Sequence, residues 1–151
     1  MLPREPYSFR ADPAIPRFDD ARPLALVDGE CALCSRSARL ICRLDRRAEF
    51  RIAAVQSPLG RALCTHYGLD ADDPTSWLYI ENGRAYGALD AVVRAGRRLG
   101  GLGLLAAPLG WLPRGMRDAL YRFVATRRIA WFGRADLCAL PDPELRRRLL
   151  L

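Results

Sequence analysis

Lysine is absent from this chain: all 24 basic residues are arginine. That excludes Schiff-base catalysis and a phosphate-binding P-loop lysine. Histidine is almost absent as well. His66 is the only one, so no two-histidine metal site can form. No apolar run reaches the roughly 18 residues of a membrane-spanning helix. The longest uncharged stretch, Leu99 to Leu112, is short and glycine-rich, and reads as a buried connection rather than a membrane-surface contact. Residues 1–23 lack the apolar segment of a secretory leader, and their five prolines read as an extended surface arm.

The 151 residues suffice for one self-supporting domain. Half are hydrophobic and 27% charged, a globular composition. The net charge of +7 is uneven: residues 114–151 carry +5 and residues 1–113 only +2. A basic C-terminal third is read first as a solvated helix face. No basic-aromatic stripe marks a nucleic-acid surface, so no nucleic acid is expected as a partner, and contact with a membrane surface is not favoured.

Apolar periodicity predicts a strand at Leu24–Val27, then a helix with Leu33, Leu40, Ile41 and Leu44 inward. A second strand follows at Phe50–Ala54. Ser57-Pro58 opens a second helix, with Leu59, Leu63 and Tyr67 inward and Gly68 as its stop. Ser76–Ile80 reads as a third strand, joined through Asn82-Gly83 to an antiparallel Arg84–Tyr86. Gly87–Leu99 reads as a helix. Pro113 opens a last one running to about Ile129, packed by Met116, Leu120, Phe123 and Val124. Trp131 and Phe132 are expected to be buried beside it. The alternative makes them a docking surface with Arg127, Arg128 and Arg134.

The order β-α-β-α-β-β-α, with a right-handed crossover at its start, predicts an α/β thioredoxin-like fold. This is a mixed sheet flanked by helices, with a helical C-terminal extension. Residues 24–138 form the domain in this reading, preceded by the arm 1–23 and followed by a short tail, 139–151.

The five cysteines are Cys31, Cys34, Cys42, Cys64 and Cys138. An odd number without a leader points to a reducing, cytoplasmic setting, where a close pair is catalytic, redox-sensing or metal-binding. Cys31 and Cys34 form a CxxC where the first strand meets the first helix. The free amides and dipole of a helix start stabilise a thiolate. Cys31 is therefore expected to be the more acidic and more exposed thiol, the attacking one, with Cys34 one turn on as the resolving one. Asp28 and Glu30 are acidic neighbours that oppose this effect. Asp28 reads either as a base for Cys34 or as a turn-capping residue. Haem attachment is excluded because Ser35, not histidine, follows Cys34. Zinc would need Cys64 and His66 to join the pair at an unusual spacing, so neither metal nor cofactor is expected. Cys42 and Cys64 read as small buried hydrophobes, Cys138 as exposed, and His66 as a helix-end surface residue.

The run Val27-Asp-Gly-Glu-Cys-Ala-Leu-Cys34 resembles the DCC family of thiol-disulfide oxidoreductases. So do Tyr121–Ala125, Arg127–Arg134, the Asn82-Gly83 turn and Asp90-Ala-Val92. The resemblance spans about Leu24 to Cys138. It implies a thioredoxin-like fold and protein-disulfide reductase activity, with a disulfide-containing protein or small thiol as substrate and an electron donor it does not identify. Unlike thioredoxin, the chain has Ala32-Leu33 between the cysteines and no tryptophan before Cys31. Pro74 is the one candidate for the cis-proline of that fold. A reading of a different class keeps the scaffold but makes it a non-catalytic adaptor that binds through the basic C-terminal helix.

Overall fold

A computed structural model describes residues 5–72, 77–137, 139 and 142–150. Strand β1 (Leu24–Val27) is buried along its whole length. It leads through Asp28-Gly29 into α1 (Ala32–Leu44), with Cys31 at the N-cap. β2 (Arg51–Ala54) returns parallel to β1, which places α1 as a crossover. In α2 (Pro58–His66) the Ser57 Oγ accepts from the Gly60 N–H at 3.0 Å, closing one of the free amides of the first turn. β3 (Leu78–Glu81) pairs antiparallel with both β1 and β4 (Arg84–Gly87). Asn82 and Gly83 turn the hairpin at φ 50° and 75°, the left-handed geometry that Asn-Gly tolerates.

Three helical elements follow: α3 (Ala88–Leu99), a 3-10 segment (Gly101–Trp111) and α4 (Arg114–Phe132). α5 (Pro143–Arg148) and β5 (Leu149–Leu150) end the described chain. The sheet order is β4-β3-β1-β2-β5, a thioredoxin-like mixed sheet with one strand added.

Strand alternation sorts the core. Leu24 and Leu26 face α2, with Leu59 and Leu63. Val27 packs towards α1 on the opposite face, with Cys31, Cys34 and Ala38.

Several expectations are corrected by the packing. The N-terminal segment is not a simple surface arm. It makes a 3-10 turn at Ser8–Ala11, buries Phe9 and Ile15, and bonds the Tyr7 N–H to the Gly83 carbonyl at 2.8 Å. His66 is not a surface residue. Its side chain is buried between Ser8 Oγ and Asp12 Oδ2, each 2.9 Å from a ring nitrogen, and fastens that segment to α2.

The inward face of α1 is built mainly of small residues, with Ala38 and Cys42 beside Ile41, while Leu40 is exposed. The connection expected to be buried between Leu99 and Leu112 exposes Leu102, Leu104, Leu105 and Trp111. Only Gly103 is buried there. A Cβ on Gly103 would lie 2.5 Å from the Gly96 carbonyl oxygen, so the segment meets α3 backbone to backbone and its leucines project elsewhere.

α4 likewise does not pack through Met116, Leu120 and Phe123, which are exposed. Ala125 and Arg128 are its buried residues. Trp131 and Phe132 lie on the surface, with Trp131 54% exposed. The stretch after residue 141 forms α5 and β5, pairs with β2, and buries Leu145. Arg148 there reaches Asp45 at 2.7 Å, both side chains buried.

Candidate active site: a dithiol between a strap and an apolar groove

The site starts at Asp28, where β1 ends. Its Oδ1 accepts from the Glu30 N–H at 2.9 Å and from Gln56 Nε2 at 2.7 Å. Gln56 Oε1 in turn accepts from the Gly29 N–H at 2.9 Å. These bonds shape the turn that presents Cys31 to the start of α1. Asp28 Oδ2 is held by Arg128 Nη2 of α4 at 2.6 Å, with the two side chains 16% and 6% exposed. The turn-capping role of Asp28 is thus realised in the geometry. Towards Cys34 it offers its backbone N–H.

Residues 133–137, beyond α4, lie across this turn as a strap. The Ala32 N–H donates to the Gly133 carbonyl, Ala135 N–H to Glu30, and Leu137 N–H to Gly29, at 2.8–3.2 Å. Cys31 and Arg134 form an antiparallel bridge. Glu30 stays exposed, with Arg134 Nη1 at 3.5 Å.

The strap reverses the expected exposure of the two thiols. Cys31 has no exposed surface, and Cys34 is 8% exposed. Both belong to one buried cluster, and burial pushes the Cys34 thiol up to about 12. Arg128 and the Asp28 amide pull it the other way, while Cys31 adds to the rise.

Cys34 opens onto a cavity of about 620 Å³ between α1, α3, the 3-10 segment and α4. Arg128 lies in the same cavity wall. Its Nε has no hydrogen-bond partner among the described residues.

The remaining candidates separate. Arg128 is buried against Asp28 and so leaves the docking set. Arg127 stays outside, stacked 4.1 Å over the Phe123 ring. Trp131 meets Phe123 edge-on at 5.5 Å. Pro74 and Cys138 lie outside the described residues. Cys42 and Cys64 are buried thiols raised by burial, as small hydrophobes should be. Cys64 belongs to the α2 side of the sheet, away from Cys31 and Cys34. Among the described residues no group of three or more His, Cys, Asp or Glu is placed to hold a metal ion.

The Arg128 anchor, the strap and the groove escaped the sequence reading. Leu120, Val124, Ala125 and Arg128 share one helical stripe, so an arginine at an inward position was the available signal.

Fold and site together define a thioredoxin-like α/β domain with a CxxC dithiol at its first strand-to-helix junction. The chain belongs to the DCC1-like thiol-disulfide oxidoreductase family, whose model matches residues 25–134. It is similar to the uncharacterized protein YuxK of Bacillus subtilis (strain 168), with 33% identity over 125 residues, covering 83% of this chain and 91% of that one. It is also similar to the chloroplastic DCC family protein At1g52590 of Arabidopsis thaliana, with 37% identity over 123 residues, covering 81% of this chain and 72% of that one. No solved structure matches the chain. No helix among the described residues is long and apolar enough to cross a membrane.

Proposed function

We propose that this protein is a protein-disulfide reductase whose Cys31–Cys34 dithiol exchanges with a substrate disulfide. The observation that carries this reading is that both cysteines sit in one buried cluster at the start of α1, with Arg128, paired to Asp28, as a positive charge near Cys34. Its partners are a disulfide-bearing protein and an external thiol donor that restores the dithiol. A reducing compartment such as the cytoplasm suits that cycle. The helix start favours Cys31 as the attacking thiol and Cys34 as the resolving one. The strap stands against that order, because Cys31 is covered.

Insulin reduction with dithiothreitol as donor tests the activity. The parent protein should accelerate it, and Cys31→Ser and Cys34→Ser should each abolish turnover. Parent protein no faster than dithiothreitol alone would remove the reading.

The adaptor alternative draws on a separate observation: the outer face of α4 exposes Phe123 and Trp131 beside Arg127. An inactive dithiol together with a partner lost on Trp131→Ala would favour it.

A further inference from the structure

We propose that the groove between α1, α3, the 3-10 segment and α4 is the substrate site of the dithiol. Its occupant is a peptide segment whose disulfide is flanked by apolar residues, and Cys34 is the thiol that meets it. This rests on the reductase reading and names its substrate class.

Three features of the groove converge. First, its wall is apolar almost throughout, and among the described residues Cys34 is the one thiol lining it. Cys31 lies under the strap with no exposed surface, so a disulfide arriving through the groove reaches Cys34 first.

Second, Arg128 lies in the groove wall with its charge already balanced by Asp28 at 2.6 Å. With the guanidinium neutralised, the wall offers no free charge to an ionic ligand and suits a neutral, apolar peptide segment.

Third, the apolar surface continues past the cavity. Leu40, Leu102, Leu105 and Leu120 all line it and all remain exposed, Leu102 at 67% and Leu105 at 76%. An extended apolar segment across the mouth covers them.

Cys34 gives up its proton, and its sulfur attacks one sulfur of the peptide disulfide; that S–S bond breaks, and the departing thiolate takes up the proton. Cys31 then gives up its proton and attacks the Cys34 sulfur, releasing the second peptide thiol. The dithiol loses two electrons and two protons, and the substrate disulfide gains them. An external dithiol returns them to Cys31 and Cys34.

The test uses full-length Cys31→Ser and Cys34→Ser proteins. Two peptides of equal length carry one cysteine activated as its thiopyridyl disulfide, flanked by leucine and phenylalanine in one and by serine and asparagine in the other. Thiopyridone release reports capture. Cys31→Ser, which retains Cys34, should capture the apolar peptide about tenfold faster than the polar one, the gain expected from burying about two methylenes. Adding Leu105→Asp should bring that ratio towards one. Cys31→Ala serves if the serine variant does not fold.

Capture only by Cys34→Ser, or equal rates for the two peptides, would overturn the proposal. So would a dimer whose formation blocks capture, which would give the groove to a second copy. Preferential partition to lipid vesicles without peptide discrimination would overturn it as well. Reduction of hydroxyethyl disulfide by the parent protein is measured alongside. If that reaction proceeds while the peptides are not distinguished, the groove assignment fails and the reductase reading stands.

Discussion

Arg128 and Asp28 stand 100 positions apart in the chain and meet at 2.6 Å beneath the dithiol. The pair joins the last long helix to the turn that carries Cys31. It also sets a fixed positive charge near Cys34, the strongest of the influences favouring its thiolate. A link between the family's front and back motifs is thus a physical contact.

Breaking this pair should be expensive. Arg128→Ala leaves a buried carboxylate without its cation and should cost about 3–5 kcal/mol in urea unfolding. Asp28→Asn with Arg128→Met, which removes both charges, should recover much of that loss. In the single variant, removing the cation should also slow iodoacetamide labelling of Cys34. Unchanged stability in Arg128→Ala would show that the pair holds nothing together.

Cys34 reactivity should climb steeply with pH. With its thiol pushed up to about 12, little thiolate exists near neutrality. Labelling of Cys34 in the Cys31→Ser protein removes the raising influence of Cys31, but burial, the larger cause, remains. Its rate should therefore still rise about tenfold per pH unit well past the 9.0 of an ordinary thiol. The stability consequence has a definite sign. The folded state holds this proton more tightly than the unfolded chain, so Cys34 contributes stability below about pH 9 that is lost as pH rises towards about 12. Cys34→Ala should flatten that alkaline decline.

The C-terminal segment should be a working part of the domain. Arg148 Nη1 binds Asp45 Oδ2, which also accepts from the Phe50 N–H at 2.9 Å. Arg148→Ala should cost about 3–5 kcal/mol, because Asp45 stays buried without its partner. Denaturant midpoints compare it with Arg147→Ala, a change on the exposed side of α5 that should fall within about 0.5 kcal/mol of the parent.

Trp131→Ala should leave the melting temperature close to the parent's, with a change under about 1 kcal/mol, since the ring is 54% exposed and touches Phe123 at its edge. A loss of several kcal/mol in thermal unfolding would return Trp131 to the core.

Gly103→Ala should destabilise by about 1–3 kcal/mol, because the new methyl meets the Gly96 carbonyl oxygen and the helix backbone cannot yield cheaply. The same change should lower capture of apolar peptides by shifting the groove wall.

Local chemistry made much of this protein legible from its residues. Ser57-Pro58 and Asn82-Gly83 carry their own caps and turn geometry, so α2 and the β3–β4 hairpin were readable. The buried run Leu24–Val27 and the CxxC that follows it placed the dithiol at a strand-to-helix junction. What failed to read were the contacts of high sequence separation. Periodicity marks which side chains are apolar, but not which of several apolar faces finds a partner. Met116, Phe123, Trp131 and Phe132 fit a core pattern, yet α4 docks through Ala125 and Arg128, because the space beside α1 is taken by small residues and an ion pair. The relative cover of two neighbouring thiols was likewise beyond sequence. Helix position alone favours Cys31 as the open one, but the strap at residues 133–137 closes over it through backbone bonds that any sequence of suitable shape could make. Residue chemistry by itself determined the fold class and the close cysteine pair; the long-range packing of α4 and its strap decided which thiol faces the groove, since that depends on how distant segments fill space.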